Sequence, residues 1–67
     1  MTNELQQLQL LRPTPAARLI GVHVKTLARW RRSGKGPTWY EVEGGAMYDR
    51  SELERWVHAC RRGGDDV

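Results

Sequence analysis

Residues 14–37 read TPAARLIGVHVKTLARWRRSGKGP, a stretch that contains two helix patterns joined at a glycine. We expect Thr14 to cap the first helix and Pro15 to occupy its first position, where the missing N–H group costs nothing. Gly21 ends this helix after at most two turns, because glycine readily adopts the left-handed conformation of a C-terminal cap. The apolar side chains that share one face of this helix are Ala16, Leu19 and Ile20.

The second helix of this stretch is predicted from about His23 to Ser33, with Gly34 closing it. An advance of about 100° per residue divides its side chains into two faces, with Thr26 between them. The apolar side chains of the inner face are Val24, Leu27 and Trp30. The basic side chains of the outer, cationic face are Lys25, Arg29 and Arg32. One face is therefore expected to pack, and the other to present bare positive charge.

After the second helix the period of the sequence pattern changes from that of a helix to that of a strand, which predicts a β-hairpin. Residues 39–42 and 46–48 are short β-type segments, and residues 43–45 (EGG) form a compact connection between them. Adjacent residues of a strand point to opposite faces, so at least one of the neighbouring rings of Trp39 and Tyr40 is expected to face solvent.

A third helix is predicted to begin at Ser51, because Glu54 stands three residues later at the spacing of a capping box. It is expected to stop at residues 63–64, a pair of glycines. Its inward stripe, about 100° wide, consists of Leu53, Trp56, Val57 and Cys60. The large side chains expected to lie in the core are Leu27, Trp30 and Trp56. We expect Cys60 to fill the core and not to bind a metal.

These elements predict a single domain that is mainly α with a small β-hairpin, in the order of a winged helix-turn-helix. The domain is expected over residues 12–62. Residues 1–11 form an N-terminal extension, either a short helix or an edge strand that enters the domain. Residues 63–67 are predicted to be a disordered tail.

The charge is strongly polarised along the chain. Eleven basic and eight acidic residues give a formal net charge of +3 and a pI of about 9.6. Residues 12–37 contain seven of the basic side chains and no acidic one. A positive stretch without compensating carboxylates is typical of a polyanion partner, usually nucleic acid, although a solvated basic face would look the same in sequence.

The residue inventory argues against most other classes of protein. A chain of sixty-seven residues is short for enclosing a catalytic pocket, and its sequence contains no candidate nucleophile–base pair. We therefore expect that the protein is not an enzyme and has no catalytic residue. One cysteine and two histidines provide neither a disulfide framework nor a metal site, and no cofactor is implied. The single cysteine fits a reducing cytoplasm. No apolar run approaches the ~20 residues of a membrane span, so no membrane partner is expected.

Three segments carry a family resemblance. Residues 14–22 (TPAARLIGV) resemble the "T-x-x-x-A-x-x-L-G-V" start of MerR-like and excisionase-type DNA-binding domains. Residues 25–37 (KTLARWRRSGKGP) resemble their "x-T-L-x-R-W-x-x-x-G-x-x-P" recognition helix and exit. Residues 48–56 (YDRSELERW) are similar to their "Y-x-x-S-x-L-x-x-W" junction after the wing. The match covers about residues 10–60 and is closest to small phage excisionases, including those of actinobacterial phages.

The resemblance implies a function that the elements alone do not. Phage excisionases, or recombination directionality factors, bind attachment-site DNA in the bacterial host cell, bend it, and direct the phage integrase toward excision. The expected partners are therefore double-stranded DNA, an integrase and further copies of the chain. MerR regulators add an effector-binding region after this domain, and the sequence stops at residue 67, so no small-molecule ligand is expected. The alternatives are an AlpA-like transcriptional regulator on a compact operator, and a protein-interaction module of the anti-repressor type.

The side chains and glycines expected to contact DNA are Lys25, Thr26, Arg29, Arg32, Arg18, Lys35, Gly44 and Gly45. Arg29 is expected to read guanine, while Arg18 and Lys35 clamp phosphates on the flanks. Thr26 either donates to a phosphate oxygen or packs its methyl group. Arg12, Arg31, Arg61 and Arg62 are expected to be solvated, or to snorkel with their stems on apolar surface.

The hairpin departs from the family pattern, because wings in the family often carry Lys or Arg. Glu41 and Glu43 stand there instead. The wing therefore either approaches the DNA backbone through Gly44 and Gly45 or serves a protein partner. We expect several copies to bind side by side, with the acidic wing and tail of one copy meeting the edge of the basic face of the next.

Overall fold

The computed structural model describes residues 8–62, which form a winged helix-turn-helix of three helices and a three-stranded antiparallel sheet. The predicted fold class is confirmed. In chain order the elements are β1 (Leu10–Leu11), α1 (Pro13–Ile20), α2 (Val24–Arg32), β2 (Tyr40–Val42), β3 (Gly45–Asp49) and α3 (Arg50–Ala59). Residues 1–7 of the predicted extension and the predicted tail at residues 63–67 lie outside the described residues.

Helix α1 begins one residue before Thr14, so the prediction that Thr14 caps this helix is wrong. Arg12 is the N-cap, and its side chain makes no capping hydrogen bond. Two properties of Pro13 explain the earlier start. A proline holds the residue before it in an extended conformation, and Arg12 has φ −69° and ψ 164°. Proline also has no backbone N–H group, which costs nothing here because the N–H groups of the first helical turn have no partner within the helix. The end at Gly21 is confirmed, with a positive φ of 81° and an N–H group that donates to the Ala17 carbonyl.

The sheet has the order β1-β3-β2, which places the returning strand of the hairpin in the centre. Leu10 pairs with Asp49 on one side, and Val42 pairs with Gly45 on the other. The strand at Leu10–Leu11 agrees with the edge-strand alternative for the end of the extension. Gly45 belongs to β3, so the hairpin connection is one residue shorter than predicted.

The two residues of that connection are Glu43 and Gly44, and both have positive φ, at 51° and 78°. This is the backbone geometry of a type I′ turn, whose twist matches that of the flanking strands. Glycine adopts it without strain, whereas Glu43 is an exposed non-glycine residue in the left-handed region.

Helix α3 begins at Arg50, and Asp49 caps it, so the predicted start at Ser51 is wrong. The Asp49 carboxylate accepts from two backbone N–H groups, that of Glu52 at 3.1 Å and that of Gln9 at 3.1 Å. One aspartate at the end of the central strand thus caps the following helix and, through its other oxygen, also binds the backbone beside the edge strand. The helix stops at Ala59, before the glycines that were expected to end it.

The buried core is smaller and less aromatic than predicted. Its members are Ala16, Ala17, Leu27, Tyr48 and Leu53. Leu27 is confirmed as a core residue, but Trp30 and Trp56 are half-buried and pack on each other with ring centroids 5.5 Å apart. The prediction that Cys60 fills the core is wrong, because α3 ends at Ala59 and leaves the thiol exposed.

Candidate nucleic-acid interface

Helices α1 and α2 are joined by a three-residue turn of Gly21, Val22 and His23. The left-handed Gly21 and the bond from the Val22 N–H group to the Ala17 carbonyl, at 3.0 Å, reverse the chain directly after α1. Leu27 of α2 is fully buried against the alanines of α1. A short glycine turn between two packed helices is the geometry of a helix-turn-helix.

His23 caps the second helix through its imidazole ring. The backbone N–H group of Lys25 donates to His23 Nδ1 at 3.0 Å, and the His23 carbonyl accepts from the Thr26 and Leu27 N–H groups. Histidine is an uncommon residue at this position, where Ser, Thr, Asp or Asn usually supplies the acceptor. The predicted helix start at about His23 is therefore confirmed to within one residue.

The outer face of α2 presents the three basic side chains that were expected there. Lys25, Arg29 and Arg32 are all exposed. Within residues 8–62, none of the three forms an ion pair with a carboxylate. Because no carboxylate of the described residues neutralises these charges, the cationic face attracts a polyanion.

The remaining predicted site residues lie on α2 itself, on α1, in the loop after α2 and at the hairpin. Thr26 is half-buried at the edge of the cationic face, which is compatible with either role predicted for it. Arg18 is exposed in the last turn of α1, and Lys35 is exposed in the loop after α2. At the hairpin Gly44 is exposed, whereas Gly45 is half-buried and paired with Val42.

Arg31 has a defined structural role that sequence reasoning missed. Its Nη1 donates to the Tyr48 hydroxyl at 2.8 Å, and its Cζ lies 5.6 Å from the ring centroid of Trp39. One guanidinium therefore joins α2, β3 and the loop that precedes β2. No local pattern reveals this role, because Tyr48 follows Arg31 by 17 residues and reaches it only through the tertiary fold.

The wing is joined to α3 by the side chains of Tyr40 and Glu52. The Tyr40 hydroxyl donates to Glu52 Oε2 at 3.0 Å. This bond to a carboxylate, assisted by partial burial, raises the pKa of Tyr40 above its ordinary value of 10.0. The other carboxylate oxygen, Oε1, is buried and has no hydrogen-bond partner among residues 8–62.

The prediction that one of two adjacent rings faces solvent is confirmed. Trp39 is exposed, and Tyr40 is half-buried. Glu41 and Glu43 are both exposed on the hairpin. The wing therefore carries negative charge close to its glycine tip, and neither carboxylate forms an ion pair with another described residue.

The described part of the chain supplies no site for a metal ion, since no three potential ligands among His, Cys, Asp and Glu lie together there. None of its helices has both the length and the apolar character that a membrane crossing requires.

A family model described as a helix-turn-helix domain matches residues 10–61, which is most of the 67-residue chain. The match begins at the first strand and extends beyond the end of α3, so it covers every helix and strand described above. No curated protein matches the chain significantly.

Proposed function

Because the chain belongs to the helix-turn-helix domain family of DNA-binding proteins, we propose that it is an excisionase that bends attachment-site DNA. In this role it directs a phage integrase toward excision of the prophage. The family includes excisionase-like and AlpA-type DNA-binding proteins, and its members are typically not enzymes. The three sequence segments that resemble phage excisionases support the more specific assignment.

The observation that carries the DNA-binding role is the cationic face of α2. A recognition helix needs an inner face that packs and an outer face that attracts DNA, and α2 combines buried Leu27 with three exposed basic side chains. We assign Lys25 and Arg32 to phosphates. Arg29, in the middle of this face, is assigned to guanine O6 and N7 through its two-pronged guanidinium. Thr26 donates to a phosphate at the edge of the same face.

The flanking contacts are assigned to residues on either side of the recognition helix. Arg18 and Lys35 bind phosphates as exposed cations. At the wing, Gly44 and Gly45 supply backbone that can approach DNA closely because no side chain intervenes. The exposed carboxylates of Glu41 and Glu43 oppose a deep insertion, so the wing contact is limited to the backbone of Gly44 and Gly45.

Bending follows in this proposal from charge neutralisation on one side of the duplex. A single short recognition helix binds weakly alone, so copies assemble side by side along the attachment region. The acidic side chains of the hairpin of one copy then meet the edge of the basic face of its neighbour in a head-to-tail contact, which need not close into a ring. Flexible pyrimidine–purine steps are the preferred bend sites.

The second candidate function is an AlpA-like transcriptional regulator, which the family membership supports equally well. Such a regulator would bind a compact operator near a promoter, whereas the excisionase binds as an extended array of copies along the attachment region. A protein-interaction module of the anti-repressor type is a third candidate, and it predicts that Arg29→Ala leaves DNA affinity unchanged.

DNase footprinting across the attachment region and the flanks of the gene distinguishes these functions. The excisionase role predicts a long footprint of repeated units with periodic hypersensitive cuts. A single protected segment over a promoter would favour the regulator, and an absence of protection at low salt would leave the protein-interaction module.

A circular-permutation gel then tests bending, and complexes whose mobility does not depend on site position would contradict the architectural role. An excision assay with the integrase supplies the functional readout. Arg29→Ala should abolish stimulation of excision, while the matched variant Arg62→Ala, which removes an exposed cation beyond the end of α3, should retain it.

A further inference from the structure

The loop between α2 and β2 forms a shallow concave surface beside the cationic face. Its volume is about 320 Å³, and its lining is continuous in sequence: Gly34, Lys35, Gly36, Pro37, Thr38 and Trp39. Positive φ angles of 76° and 83° at the two glycines fold the loop into this shape. The lining begins two residues after Arg32, the last residue of α2, and ends at Trp39, directly before β2. The loop therefore connects the two elements that contact DNA in the proposed function.

The loop is held firmly against Trp30. The Lys35 N–H group donates to the Trp30 carbonyl at 2.8 Å, and Pro37 is buried. Gly36 lies so close to the indole that a Cβ atom there would stand 2.9 Å from the Trp30 Cβ. With this support the backbone of the loop does not have to be ordered on binding, which lowers the entropic cost.

The chemistry of this surface matches one repeat of a sugar–phosphate backbone. Lys35 supplies a cation and Thr38 a hydroxyl, and both side chains are exposed. Trp39 stands next to them with 39% of its surface exposed, although a large indole is normally covered. The Arg31 guanidinium lies over the ring and steadies its position. Cation, hydroxyl and apolar ring are the groups that bind a phosphate and the adjacent deoxyribose.

We propose that this loop extends the DNA-binding surface, with Lys35 and Thr38 holding one phosphate and the Trp39 ring packing on the neighbouring deoxyribose. This inference rests on the proposed DNA-binding function and adds Thr38 and Trp39 to its contacts. The ligand is the backbone of duplex DNA, so the loop strengthens binding to any sequence and does not select bases.

The test compares Trp39→Ala with Lys35→Ala in fluorescence-anisotropy titrations of duplex DNA over a range of salt concentrations. Trp39→Ala should weaken binding about 5- to 10-fold, because apolar contact area is lost, and should leave the salt slope unchanged. Lys35→Ala should reduce the magnitude of the slope by about 1, as expected for one phosphate contact. Val57→Ala, at an apolar residue of α3 that is 42% exposed, is the matched control and should bind as wild type.

The outcome with Arg29→Ala separates failure of this inference from failure of the proposed function. If Arg29→Ala weakens binding and Trp39→Ala does not, the loop site is overturned and the recognition helix stands. If neither variant affects binding, the DNA-binding function fails as well. Thermal unfolding followed by circular dichroism checks that Trp39→Ala folds. If Trp39→Ala is unfolded, Trp39→Gln is used in its place and should show the same loss of affinity.

Discussion

The guanidinium of Arg31 donates to the hydroxyl of Tyr48 at 2.8 Å and thereby fixes the recognition helix α2 to the central strand β3. Tyr48 is 1% exposed, so its hydroxyl depends on this donor in place of water. Because β3 is the returning strand of the wing, the bond between these residues sets the position of α2 relative to the wing.

Removal of either partner of this bond should destabilise the domain. We expect Tyr48→Phe to lower the free energy of unfolding by about 1–2 kcal/mol, because a hydrogen bond to a charged donor is lost. Arg31→Met should cost at least as much, since it leaves a buried hydroxyl without a donor. Urea denaturation of both single variants and the double variant measures the coupling, and additive effects would show that the bond contributes nothing.

Two glycines of the α2–β2 loop should respond differently to alanine. Gly34→Ala meets open space and should cost only the strain of a positive φ, about 1–2 kcal/mol. Gly36→Ala carries the same strain and also brings its Cβ within 2.9 Å of the Trp30 Cβ, so overpacking should add about 1–3 kcal/mol. Chemical denaturation of the two variants side by side measures the difference. Equal destabilisation would mean that the loop moves away from Trp30 without cost.

The bond between Tyr40 and Glu52 should make stability fall at alkaline pH. Because the pKa of Tyr40 is raised in the fold, the protonated phenol is favoured there. Its contribution is therefore fully present below the unfolded pKa of about 10 and is lost as pH rises through the folded value. Glu52→Gln should move the pKa of Tyr40 back toward 10.0, as measured by ultraviolet titration of the tyrosines. An unchanged titration curve would contradict the assignment.

The sequence predicted the helix-turn-helix well, because its signals are local. Gly21 marks the turn through its own backbone preference, and the three-and-four spacing of Lys25, Arg29 and Arg32 is a property of one helix. The exposed face of α2 therefore follows from fewer than ten consecutive residues. The hairpin was also placed correctly, with no strand end displaced by more than one residue.

Some errors arose where two local signals compete, and others where a tertiary contact decides the outcome. Asp49 stands three residues before Glu52, the same spacing that Ser51 has to Glu54, and the structure uses Asp49 as the cap. Its other carboxylate oxygen accepts from the backbone of Gln9, a contact forty residues away that no local pattern indicates. The core was overestimated for a related reason. Trp30 is too large to be enclosed in so small a domain, and it instead supports the loop that follows its own helix.

The salt dependence of duplex DNA binding tests the central claim most directly. With about five phosphate contacts, the slope of log Kobs against log salt should be about −4 to −5. The double variant Lys25→Ala and Arg32→Ala should reduce its magnitude by about 2, while Arg55→Ala with Arg62→Ala, which removes the same charge outside the proposed interface, should leave it unchanged. A cationic face that binds DNA predicts this contrast. Equal slopes for both double variants would contradict it.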